Sequence, residues 1–179
     1  MFRSAGIVES LPRWPVRAAL VVLAAVVALR AGLPVSPAHA EVAPPVPPTA
    51  RDGQQVYNDY CMTCHHPDGN GSEGIVPPLA GSEWVTGDSG RLIRILLKGL
   101  TGTVMVMGTP YDGLMPPFGE ILDDAQLAAV ATYVRSAWDN DASEVTPAEV
   151  AAVRAAVADR TAPWTVRELN AAMAQAAAE

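Results

Sequence analysis

Apolar positions along the chain fall into blocks of different period. The first, Ala18 to Leu29, is a continuous apolar run of 12 residues between Arg17 and Arg30, shorter than the about 20 residues a spanning helix needs. Arg3, Arg13 and Arg17 precede it, and the small-residue pattern Ala38-His39-Ala40 follows. That order reads as an export signal over 1–40, cleaved before Glu41; an uncleaved membrane anchor is the competing reading. Ala43-Pro44-Pro45-Val46-Pro47-Pro48 fixes φ and removes amide donors, which favours an extended spacer, so 41–50 is read as a linker. From Asp52 to about Tyr60 the period becomes helical, with Val56, Tyr57 and Tyr60 on one face. Six glycines and three prolines between Pro67 and Gly90 then predict turns and loops rather than long helices.

Periodicity returns at Ser89, a candidate N-cap. Leu92, Ile93, Leu96, Leu97 and Leu100 predict the buried face of a helix to Leu100, and Arg91, Arg94 and Lys98 fall on the opposite, solvated stripe. Thr101 to Leu122 reads as a loop in which Val104-Met105-Val106-Met107 is either a short strand or a packed segment. Asp123 and Gln126 form a capping-box pattern ahead of Leu127, Val130, Ala131 and Val134, which predicts a helix ending near Trp138 or Asp139. Two more such starts, Thr146-Pro147-Ala148-Glu149 and Thr165-Val166-Arg167-Glu168, predict two short helices in the tail 143–179. That tail is either a packing extension or a docking element.

Composition narrows the class. The 179 residues are 50% hydrophobic and 17% charged, apolar enough to fold and unlike a disordered chain. Without its first 40 residues the chain has 139 residues with 8 basic and 18 acidic side chains, a net charge of -10. It lacks the basic field a nucleic-acid binder uses, so DNA and RNA are not expected partners. The only cysteines are Cys61 and Cys64, and the only histidines after position 40 are His65 and His66.

Those residues form Cys61-Met62-Thr63-Cys64-His65, the C-x-x-C-H pattern of covalent haem attachment. Two thioethers three residues apart hold one edge of a porphyrin against a helical turn, and the next histidine can then reach the iron. A zinc site would need four ligands from six consecutive residues, which tetrahedral geometry disfavours. A thioredoxin-like dithiol follows a strand, whereas a helix is expected before Cys61. His66 is expected to face solvent or a propionate. An electron carrier needs a sixth iron ligand, for which Met105, Met107, Met115 and Met173 are the downstream candidates. Met115 is preferred because Tyr111-Asp112-Gly113-Leu114-Met115-Pro116-Pro117-Phe118 is a proline-stiffened loop. Met105 and Met107 are expected to fill the core.

With these features the stretch from about 51 to 140 resembles the class I cytochrome c family. The resemblance rests on the helix over Asp52 to Tyr60, the C-x-x-C-H motif, Pro77-Pro78-Leu79, Met115-Pro116 and a final helix with Tyr133. It implies an all-α class I fold, about three core helices around one covalent haem c with its iron, over 51–142, extended by the helical tail 143–179. It further implies that Gly53 and Tyr57 cross the last helix near Leu127, Val130 and Tyr133, that the Pro77 carbonyl (or that of Pro78) accepts the Nδ1 proton of His65, and that Leu79 lines the haem pocket. Gly113 to Trp138 also looks like the haem domains of quinoprotein dehydrogenase cytochrome subunits, and those fused to copper nitrite reductases.

The expected function is one-electron transfer in the periplasm by a His65/Met115-ligated haem. Such a protein is a shuttle or a small electron-accepting subunit rather than an enzyme, since two protein ligands leave no open iron position. Its expected partners are a donor and an acceptor redox protein, such as a quinoprotein dehydrogenase and a terminal oxidase, with no membrane span after signal cleavage. A haem enzyme or ligand sensor with a displaceable sixth ligand is the alternative, and a thiol redox protein is the third class.

Overall fold

The computed structural model describes residues 50–178. The expected signal over 1–40 and the linker over 41–50 lie outside the described residues, apart from Ala50. Helix α1 (Ala50–Tyr60) runs through Cys61 into the single turn α2 (Met62–His65). After a glycine-rich loop come the short α3 (Glu83–Thr86) and α4 (Ser89–Lys98), then strands β1 (Leu100–Val106) and β2 (Thr109–Met115). Helices α5 (Asp124–Ser136), α6 (Pro147–Ala156) and α7 (Val166–Ala176) complete the chain. Among the described residues no helix is long and apolar enough to cross a membrane.

The molecule is organised around the crossing of α1 and α5. Gly53 is the reason they can touch: a Cβ there would sit 2.0 Å from the Ala129 carbonyl oxygen and 2.7 Å from Tyr133 Cβ. Beside the crossing, the rings of Tyr57, Tyr133 and Trp138 meet at centroid distances of 5.1 to 5.7 Å, the edge and tilted contacts aromatic pairs prefer. Tyr57 OH donates to the His66 carbonyl at 2.5 Å, and Trp138 Nε1 donates to the Pro67 carbonyl at 3.0 Å. The cluster thus pins the chain just beyond the cysteines. Tyr60, expected on the core face of α1, is instead 42% exposed, because that helical turn overhangs a cleft rather than α5.

Capping sets the helix starts. Asp123, Thr146 and Thr165 each form a reciprocal capping box, with Gln126, Glu149 and Glu168 respectively, satisfying amides that a first turn leaves free. Helix α4 is capped by Asp88, one residue before the expected Ser89, and ends at Lys98 before Gly99 at φ 78. Leu92 to Leu97 are all buried, Arg94 included. The expected solvated stripe of Arg91, Arg94 and Lys98 is therefore broken, because α6 and α7 pack against α4. Trp164 Nε1 donates to the Arg94 carbonyl at 3.1 Å, and Arg94 Nη1 donates to Gly90 O at 3.1 Å. Val145, Val150, Val157, Trp164 and Leu169 of the tail belong to the same hydrophobic core as Tyr57 and Leu127.

The stretch read as a loop from Thr101 contains an antiparallel hairpin, with Leu100 opposite Met115, Gly102 opposite Gly113 and Val104 opposite Tyr111. Strand alternation points Leu100, Val104 and Val106 inward, so the odd positions face out. Met105 is accordingly 51% exposed, and Met107, in the turn after the strand, is 54% exposed; neither fills the core as expected. Among the described residues the architecture is thus mostly helical with one small two-stranded sheet.

Candidate functional site

The cysteine motif sits at the junction of α1 and α2. Cys61 is buried and Cys64 exposed, and the two are not joined in a disulfide. Burial pushes the Cys61 thiol up to about 12, with Cys64 beside it adding to the shift. His65 is also buried, and its Nδ1 lies 3.1 Å from the Pro77 carbonyl oxygen. A carbonyl can only accept, so Nδ1 carries the hydrogen and the Nε2 lone pair is left available. Burial lowers the His65 pKa, the Pro77 bond opposes that shift, and neighbouring His66 lowers it further. The net direction favours the neutral imidazole that metal ligation requires.

Two adjoining cavities open in front of this turn. The first, with about 780 Å³ of space including its open mouth, is lined by Tyr60, Cys61, Cys64, His65, Ile75, Val76, Pro77, Gly102, Gly113, Leu114, Met115, Pro116 and Phe118, among others. The second, about 660 Å³, is lined by Leu79, Trp84, Val85, Leu92, Ile95, Leu96, Val106, Val130 and Val134, and shares Cys61, His65, Pro77, Leu100, Val104 and Met115 with the first. Together they form one apolar cleft, of the size that holds small cofactors. Cys61, Cys64 and His65 stand on its α1–α2 side, and Met115 closes the hairpin side. Cys61, Cys64, His65, Pro77, Leu79 and Met115 all line this cleft. Met105 and Met107 line neither cavity and Met173 lies on α7.

An apolar, flat macrocycle fits such a lining: two thiols and an imidazole from the α1–α2 turn, a thioether from the end of β2, and mostly aliphatic side chains around them. The hairpin adds a feature absent from the sequence reading. Gly102 and Gly113 face each other across the strands, and a Cβ on Gly102 would meet no protein atom within 4 Å, so bare backbone forms part of the wall.

Comparison with known proteins gives the same answer as the geometry. The cytochrome c family model matches residues 50–138. Cytochrome c-552 of Thermus thermophilus is 40% identical over 98 residues, 52% of this chain and 72% of that protein. The chain belongs to the cytochrome c family. As a class I c-type cytochrome with one C-x-x-C-H motif, it carries covalently bound haem c with its iron and transfers electrons. The cytochrome also resembles the gluconate 2-dehydrogenase cytochrome c subunit of Pantoea cypripedii, 38% identical over 112 residues, and the cytochrome c subunit of the alcohol dehydrogenase (quinone) of Gluconobacter oxydans, 33% identical over 118 residues. Those matches span 59% and 64% of this chain but only 24% of each of the two subunits.

Several supports of the cytochrome's cleft were not legible from sequence. Asn140, buried, donates from Nδ2 to the Leu79 carbonyl at 3.0 Å and to Val134 O at 2.7 Å, and accepts from Gly81 N at 2.8 Å. It therefore fixes the backbone that presents Leu79. Arg135, also buried, donates to the carbonyls of Val85 at 2.6 Å, Gly87 at 2.8 Å and Ser143 at 2.7 Å. A lone Asn after a helix and an Arg within one carry no periodic signal, since such residues are common on surfaces.

Proposed function

We propose that the cytochrome is a periplasmic one-electron carrier in which Cys61 and Cys64 form the thioethers and His65 and Met115 are the axial ligands. The carrying observation is that the motif histidine and Met115, from different elements, line the same apolar cleft. Haem supplies a reversible one-electron couple when bound. The chain's own residues do the rest. The Pro77 carbonyl orients the His65 ring, which limits reorganisation between oxidation states. Leu79, Val85, Leu96 and Val104 exclude water, and a dry site with methionine opposite histidine raises the potential. Tyr60, Ile75 and Leu114, exposed at the cleft mouth, give a partner an apolar edge. With both ligand positions taken by side chains, the protein is a carrier and not itself an enzyme.

Two outcomes test this reading. Exported protein is expected to hold one haem that resists acid-acetone extraction, with the mass of chain 41–179 plus haem, and Cys61→Ala with Cys64→Ala is expected to release it. Stable colourless protein with two titratable thiols would overturn the assignment.

The partner we infer is a redox protein, with a dehydrogenase as donor on the pattern of the relatives' names and a respiratory oxidase as acceptor. Its docking surface is basic. Of the eight cationic residues after position 40, Arg94 and Arg135 are buried and Arg154 and Arg160 pair with Asp124 and Glu168. The accessible field is therefore more acidic than the net charge suggests, and attraction across it is screened within about 8 Å at physiological ionic strength. Electron transfer to a basic acceptor is expected to slow as salt rises in stopped-flow measurements. A rate that climbs with salt would reverse the assigned sign of the partner.

A further inference from the structure

The family match ends at residue 138, yet the chain beyond it is tied to both ends of the stretch that carries Met115. On the entry side, Trp164 N donates to Gly99 O at 3.0 Å and Thr101 N donates to Trp164 O at 2.8 Å. This short parallel pairing holds Leu100, the residue opposite Met115 in the hairpin. On the exit side, Phe118 N and Gly119 N donate to the carbonyls of Leu96 and Leu97 at 2.9 and 3.2 Å, groups a helix C-terminus otherwise leaves unsatisfied. Arg154 of α6 completes the exit. Its Nη1 donates to the Gly119 carbonyl, its Nη2 to the Leu122 carbonyl at 3.0 Å and its Nε to the Asp124 carboxylate at 2.7 Å.

This geometry has a mechanical meaning. A guanidinium is a planar fork whose donors have fixed relative directions, so one side chain sets the relative position of the loop after Met115 and the first turn of α5. Gly119 is already tight against α4, since a Cβ there would lie 2.7 Å from the Leu97 carbonyl oxygen. A neutral thioether is a weak donor, and a loop free to move gains entropy by releasing it. Restricting the loop therefore favours the ligated state.

We propose that the C-terminal segment is a clamp on the ligand loop, in which Arg154 positions residues 116–122 and so sets how readily Met115 leaves the iron. The proposal rests on the His65/Met115 reading and assigns Arg154 a positioning role. At 32% side-chain exposure, Arg154 is reachable by substitution without opening the core. The salt bridge alone would do little, because exposed pairs contribute weakly; the two carbonyl bonds carry the restraint.

The test uses intact holoprotein and four variants: Arg154→Met, which keeps the aliphatic stem, Arg154→Lys, which keeps the charge without the planar fork, Leu169→Ala in the tail core, and Met115→Ala. The ferric thioether-to-iron charge-transfer band and the helical circular dichroism are followed through the same thermal ramp, and carbon monoxide uptake is measured on the reduced protein. In Arg154→Met the band is expected to vanish at a lower temperature than the helices melt, and the carbon monoxide-accessible fraction to rise about tenfold, equivalent to about 1.4 kcal/mol. Leu169→Ala is expected to lower both transitions together. If Arg154→Met also lowers both together, Arg154 is only a packing residue and the clamp is refuted. Should Arg154→Met yield no holoprotein, Arg154→Lys, which keeps the charge and loses the fork to the Gly119 and Leu122 carbonyls, is expected to separate the two transitions in the same direction by a smaller amount, and their coincidence there would refute the clamp equally. A wild-type protein with no band, unchanged by Met115→Ala, would instead refute the ligand reading itself.

Discussion

Met115→Ala is expected to abolish the red-region charge-transfer band of the ferric cytochrome, to let the reduced haem bind carbon monoxide, and to lower the reduction potential by on the order of 0.1 V. The last figure is a fraction of the about 0.8 V range that axial ligands span. On the proposed ligation, the substitution removes two things at once: a sulfur donor that would favour the reduced iron, and the side chain that would close the sixth position. Because Met115 pairs with Leu100 at the end of the hairpin, truncation leaves the strand register intact, so the effect is local. Met105→Ala and Met107→Ala are the controls. Met105 is half exposed on the outer side of β1 and Met107 is half exposed in the turn after it, where its amide donates to the Glu83 carboxylate at 2.9 Å. Neither is expected to change the band, the potential or carbon monoxide binding. If Met107→Ala alone opened the iron, the ligand loop would be the hairpin tip and the assignment of Met115 would fall.

Gly53→Ala is expected to cost about 2 kcal/mol or more, although alanine is the better helix former by about 1 kcal/mol. The added methyl meets backbone: the Ala129 carbonyl oxygen at 2.0 Å and its carbon at 2.6 Å. Neither is the end of a flexible side chain, so α1 must move off α5, and overpacking of this kind typically costs 1–3 kcal/mol. Since α1 leads directly into Cys61, moving it also displaces the attachment turn. A melting temperature lower by roughly 4–10 °C, with reduced holoprotein yield, is the expected result. Gln54→Ala, on the exposed side of the same helix, is expected to leave both unchanged. Equal stability of Gly53→Ala and the wild type would mean that the helices tolerate a wider crossing than described here.

Much of the cytochrome was legible because its signals are local. The motif from Cys61 to His65 is contiguous, and the capping boxes at Asp123, Thr146 and Thr165 are satisfied within one turn of chain, so each announces itself over three or four residues. The glycine-rich stretch from Pro67 to Gly90 likewise fails to sustain long helices for reasons that lie in its own backbone. Fold class followed from these local features together with the family resemblance, and the comparisons agree.

What only the tertiary structure decided depends on residues distant in sequence. Arg94 sits on what the helical period marks as a polar stripe, but it is buried, and Trp164, just ahead of α7, reaches the Arg94 carbonyl from 70 residues away. Met105 and Met107 read as core by their apolar character, yet the pairing of β1 with β2 fixes which face each residue presents, and a strand turns alternate side chains outward whatever their hydrophobicity. The Arg154 clamp and the Asn140 brace consist of single polar side chains meeting carbonyls 35 and 61 residues away. Sequence by itself determined the attachment chemistry and the helix starts, since both are short-range. The cleft walls, the exposed hairpin face and the hold on the Met115 loop arise from long-range backbone contacts, for which one chain carries no periodic mark.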